Sequence, residues 1–85
     1  LLLAILPRGK DPADSRRQVN QKTNVLIQKL NDNKHVYYQD IGQQFLTDKG
    51  QLNLDIMPDL LHLSEKAYQI WAEAIEASLN QLLKP

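Results

Sequence analysis

Apolar and polar positions divide the chain into four patterned stretches joined by polar punctuation. Residues 1–6, Leu-Leu-Leu-Ala-Ile-Leu, are apolar without a break. A run that is apolar on both faces predicts a central strand of a parallel sheet covered from both sides. Pro7 ends it, having no N–H for a ladder. Gly9 and Asp11-Pro12 mark residues 8–13 as a loop. Asp14 or Ser15 then caps a helix running to about Leu30. Val19, Thr23, Leu26, Ile27 and Leu30 fall at three- and four-residue spacing and predict its buried stripe. Arg17, Gln21, Lys22, Gln28 and Lys29 lie on the opposite, polar face.

Asn31-Asp32-Asn33 turns the chain. Residues 35–41, His-Val-Tyr-Tyr-Gln-Asp-Ile, are rich in strand formers, with Tyr37 and Tyr38 on alternate faces, one expected buried and one near the surface. A long connection follows over 42–58, anchored by Phe45 and Leu46 and turned tightly at Asp48-Lys49-Gly50. Connections beyond about 12–15 residues are usually functional or disordered, and the residues at the far end of this one favour function. Ser64 caps the last helix, with Glu65 favourably placed in its first turn. Tyr68, Trp71, Ala74, Ile75, Leu79 and Leu82 form its expected core stripe, and it ends near Lys84-Pro85.

Strand, helix, strand, helix is the order of an α/β layered fold. Two strands make a poor sheet alone, so the pattern needs further cover. The 85 residues fit one domain or a part of one. Ten acidic and ten basic residues cancel, which removes the basic excess expected of a nucleic-acid binder. There is no cysteine, hence no disulfide and no thiolate zinc site. The opening apolar run is far shorter than the roughly 20 residues a membrane span requires. It lacks the basic leader and cleavage site of a signal peptide. A chain that begins inside such a run reads as cut from a longer one.

The candidate chemistry lies in Asp55-Ile-Met-Pro-Asp-Leu-Leu-His-Leu-Ser64. Asp59 stands three residues before His62, one of two histidines. A serine hydrolase needs a neutral imidazole to take the serine proton, and a carboxylate on the other ring nitrogen to hold the tautomer. A turn can bring the two together. Spacing alone leaves two plain alternatives open: Asp59 as a turn or cap residue, and His62 as a half-buried structural residue between leucines. Elsewhere, His35 reads as a surface strand-end residue, and Arg8 as structural or facing the cleft. A metal site from His35, His62 and Asp59 has no recognised spacing.

Asp59-Leu-Leu-His62-Leu-Ser64, followed by Glu-Lys-Ala-Tyr68-Gln-Ile-Trp71, resembles the last conserved block of the GDSL-type, or SGNH, hydrolases. That block carries the triad acid and base as D-x-x-H. Leu2 to Gly9, the helix with Arg16, Val19 and Asn20, Phe45-Leu-Thr-Asp-Lys-Gly50 and Asp55-Ile-Met-Pro-Asp59 are similar, in the same order, to the branch containing the platelet-activating-factor acetylhydrolase catalytic subunits. The resemblance covers essentially the whole chain. It implies that residues 1–85 are the C-terminal βαβα part of a flavodoxin-like three-layer α/β/α domain. It implies His62 as general base and Asp59 as its orienting acid, acting on a short-acyl ester of a lipid, sugar or small alcohol, with no cofactor and no metal. The Gly-Asp-Ser block and the oxyanion-hole blocks of the family do not occur here, and Ser15, Ser64 and Ser78 lie in no matching context. The nucleophile is therefore expected on another segment, and this chain alone is expected to be inactive. The rival expectation is a non-catalytic interaction module that self-associates or completes another chain through exposed apolar faces and edges.

Overall fold

The computed structural model describes residues 1–84. Strand β1 (Leu2–Leu3), helix α1 (Ser15–Gln28), strand β2 (Tyr38–Gln39) and helix α2 (Glu65–Leu82) follow one another in the expected order, with a 3₁₀ turn at Gly42–Phe45 between β2 and α2. The two strands pair in parallel, Leu2 opposite Tyr38 and Leu3 opposite Gln39. The molecule is mixed α/β, with a two-stranded sheet.

The strands are far shorter than the apolar and β-forming runs predict. Side-chain amides replace strand neighbours along their edges. Asn24 accepts from the Ile5 N–H at 2.8 Å and donates to the Ile5 carbonyl at 3.0 Å, while the Asn31 Oδ1 accepts from the Tyr38 N–H at 2.7 Å. Backbone groups bonded to side chains satisfy the demand for partners without extending a ladder.

Asp14 caps α1, its Oδ1 accepting from the Arg16 N–H at 2.9 Å. The expected apolar stripe of α1 is not its buried face. Val19, Leu26 and Leu30 are exposed, and Thr23 and Ile27 only half-buried. The inward face carries Arg17, Asn20 and Asn24. Arg17, expected on the polar face, is 1% exposed. Its guanidinium donates to the carbonyls of Arg8, Gly9 and Gly50 at 3.0, 2.8 and 2.5 Å. Gly9 takes φ +81°, and a Cβ there would collide with the Asp14 side chain.

The core lies between α2 and the connection. Phe45, Leu52, Ile56 and Met57 are buried there against Ala67 and Ile75 of α2. The long connection is thus a packed element as well as the carrier of the site. Its tight turn forms as expected: the Gly50 N–H donates to the Thr47 carbonyl, and Leu46 and Leu52 make an antiparallel bridge. In α2, Trp71, Ala74 and Leu82 are half-buried and Ile75 buried, but Tyr68 and Leu79 face outward. Tyr37 and Tyr38 are both half-buried rather than split between core and surface. The Tyr37 hydroxyl donates to the Asn33 carbonyl at 2.8 Å. No helix among the described residues is long and apolar enough to cross a membrane.

Candidate active site

Residues 57–64 form a short loop pinned at both ends. On one side, Met57 is buried and its carbonyl accepts from the Leu60 N–H at 2.9 Å. On the other, the Ser64 N–H donates to the Ile56 carbonyl at 2.8 Å and its hydroxyl to the Asp55 carbonyl at 2.6 Å. The same hydroxyl caps α2 by accepting from the Ala67 N–H at 3.2 Å. Ser64 thus fastens the loop to the helix.

Within this frame the two carboxylate oxygens of Asp59 have separate jobs. Oδ1 accepts from the backbone N–H groups of Leu61 at 3.0 Å and His62 at 2.7 Å. Oδ2 meets His62 Nδ1 at 2.6 Å. Leu60 between them adopts φ +63°, a left-handed conformation that costs a non-glycine residue roughly 1–2 kcal/mol. Strain of this kind persists where surrounding contacts over-determine it. Here the two bonds to Oδ1 close the turn, and the Leu60 side chain packs against the core.

A carboxylate can only accept, so the bridging proton belongs to His62 Nδ1. The neutral ring then presents a lone pair at Nε2, the tautomer a general base requires. Nε2 has no hydrogen-bond partner among the described residues. The side chains are open to solvent, His62 at 79% and Asp59 at 54%. That exposure removes the half-buried structural reading of His62. The turn reading of Asp59 holds for Oδ1 and leaves Oδ2 free for the imidazole.

Hydrogen bonding from the His62 ring, then from the His62 and Leu61 amides, holds the Asp59 carboxyl well below the usual carboxylate range. A carboxyl whose folded pKa is lowered stabilises the fold above its unfolded pKa, about 3.9, and loses that contribution as pH falls through the lowered value. The expected result of a carbon-detected NMR titration is an Asp59 midpoint below about 3.9, with the Leu61 and His62 amide resonances moving at the same midpoint. An Asp59 midpoint at the ordinary value would mean that these bonds do not persist in solution.

The serines do not complete this pair. Ser64 is committed to Asp55 and Ala67. Ser15 opens α1 and is exposed. Ser78 is half-buried on α2, about 21 Å of helix rise from Ser64. His35 is exposed, and no three His, Cys, Asp or Glu side chains among the described residues are grouped to hold a metal ion. The D-x-x-H spacing exposed the pair; the three-carbonyl seat of Arg17, which ties the loops at 8–9 and 50 to α1, had no sequence signal, because backbone acceptors carry none. No protein-family model matches this chain, and no curated protein matches it.

Proposed function

We propose that this chain supplies the acid–base half of an SGNH-type serine ester hydrolase, within a flavodoxin-like α/β/α domain completed by a nucleophile-bearing segment. One observation carries the reading: the 2.6 Å contact from Asp59 Oδ2 to His62 Nδ1, with Oδ1 held by two backbone amides and Nε2 left free. The turn is closed by Oδ1 alone, and the second oxygen sets the tautomer of an exposed ring.

In this reading the serine hydroxyl approaches Nε2. His62 takes its proton as the serine oxygen attacks the ester carbonyl, and Asp59 stabilises the imidazolium that results. The tetrahedral oxyanion collapses, the C–O bond to the alcohol breaks, and the imidazolium returns the proton to the departing oxygen. Water then repeats the sequence on the acyl-enzyme, releasing the carboxylic acid. Donors to the oxyanion come from the completing segment. Its docking also excludes water from Nε2, which strengthens each charge interaction at the site. The substrate class is a short-acyl ester of a lipid, sugar or small alcohol, and no cofactor enters.

Labelling tests the proposal. The polypeptide encoded by the full reading frame that contains this chain is expected to react with a fluorophosphonate at one serine outside residues 1–85. The His62→Ala variant of the same polypeptide, still folded by circular dichroism, is expected to lose the label. A folded full-length protein that takes no label, or whose label is indifferent to His62, overturns the reading.

A further inference from the structure

Two sets of hydrogen bonds act on the loop that carries Asp59 and His62, and they divide the work. Asp59 closes the turn upon itself, through the Leu61 and His62 amides and the His62 ring. None of these bonds reaches beyond residues 59–62. They fix the acid against the base, not the pair against the rest of the molecule. Toward the core the loop offers Leu60 and Leu63, whose apolar contacts carry little direction. The directional link is Ser64, two residues after His62.

Every polar group of Ser64 is bonded. Its N–H donates to the Ile56 carbonyl at 2.8 Å, and its carbonyl accepts from the Tyr68 N–H at 3.0 Å. Its hydroxyl donates to the Asp55 carbonyl at 2.6 Å and accepts from the Ala67 N–H at 3.2 Å. The Asp55 peptide is held in turn. Asn53 Oδ1 accepts from the Asp55 N–H at 3.0 Å, and the Asn53 carbonyl accepts from the Ile56 and Met57 amides at 2.9 and 3.1 Å. Ile56, Met57 and Ala67 are buried, so both ends of the link are anchored in the core.

A helix cap uses the acceptor half of a hydroxyl. That half accounts for the bond to Ala67. The donor half makes the shorter bond, and it ties the end of the site loop to the buried segment 55–57.

On the esterase reading, we infer that Ser64 is the positioning residue of the Asp59–His62 pair: by donating to the Asp55 carbonyl, its hydroxyl fixes where His62 Nε2 stands relative to the incoming serine. Asp59 sets the tautomer of the imidazole, and Ser64 sets its place. A reacting group misplaced by about 1 Å loses roughly 100-fold in rate.

Three substitutions in the full-length polypeptide separate this clamp from the cap. Phenyl acetate serves as the probe ester, and rates are compared on the alkaline plateau of each pH profile, where His62 is neutral in every variant. Ser64→Ala removes both hydroxyl bonds. Ser64→Asp keeps a cap of equal rank for Ala67 but can only accept, so it loses the bond to Asp55. Ser64→Thr keeps both. The Ala and Asp variants are expected to lose about 100-fold in kcat, with KM within about threefold of the parent. The Thr variant is expected to restore kcat to within about fivefold. In the Asp variant, folded by circular dichroism, nitrogen-15 NMR is expected to find His62 still protonated at Nδ1, because the bonds within residues 59–62 remain. An Asp variant as fast as the parent makes Ser64 a cap alone and overturns the inference. So does a Thr variant as slow as the Ala variant, or a loss of rate accompanied by a changed His62 tautomer, which places the defect inside the pair. A parent polypeptide that hydrolyses no ester and takes no fluorophosphonate removes the esterase reading itself, and this assignment with it.

Discussion

Replacing Arg17 by Met is expected to leave the molecule close to its unfolding midpoint at 25 °C, with urea denaturation showing a loss of roughly 3–5 kcal/mol. The arginine is buried and faces no carboxylate. Its Nε, NH1 and NH2 groups donate to the Arg8, Gly50 and Gly9 carbonyls. A methionine fills similar volume but strands three oxygens that converged on a cation. Each unsatisfied buried acceptor costs about 1–3 kcal/mol. The total stability of small domains is only about 5–15 kcal/mol, and a chain with so few buried side chains belongs at the low end. Arg17→Lys should recover part of the loss, since one ammonium keeps the charge but cannot reproduce the planar fork. If Met at this position leaves the urea midpoint within about 0.5 kcal/mol of the parent, the three carbonyls find other partners and Arg17 does not hold the loops.

The same residue explains where the sequence was legible and where it was not. Periodicity placed both helices within two residues or so of their ends, the Ser64 cap was readable from its side chain, and the first cap was narrowed to Asp14 or Ser15, of which Asp14 takes the role. It failed on the orientation of α1. An apolar stripe is assigned to the core on the premise that burial of carbon decides. Here the inward face is chosen by hydrogen bonding: Asn24 pairs with both backbone groups of Ile5, Asn20 donates to the Leu6 carbonyl, and Arg17 gathers three more. Those partners are main-chain atoms, identical in every residue, so no side-chain pattern announces them. The shortened strands have the same cause. The Asp59–His62 pair was legible for the opposite reason. Both members are side chains, three residues apart, and a single turn is enough to join them.

On the proposed esterase reading, Asp59→Asn is expected to lower kcat/KM for ester hydrolysis by roughly four orders of magnitude in the full-length protein, with the fold unchanged. Asparagine keeps an acceptor where Oδ1 receives the Leu61 and His62 amides, so the loop retains its closure. It replaces Oδ2 by an NH₂ that can only donate. The imidazole must then turn its lone pair toward residue 59 and carry its proton at Nε2, where it cannot receive the serine proton. The defect is one of tautomer, visible by nitrogen-15 NMR of His62 as protonation moving from Nδ1 to Nε2. Asp59→Ala differs in kind, because it removes the turn closure as well and leaves Leu60 at φ +63° with less to hold it. His62→Ala should reduce hydrolysis at least as far as the Asn change, and the double variant little further, since residues acting as one unit do not lose rate additively. Should Asp59→Asn hydrolyse esters as fast as the parent while its His62 shows the switched tautomer, Nε2 is not the base, and the close contact between these side chains serves only to shape the loop.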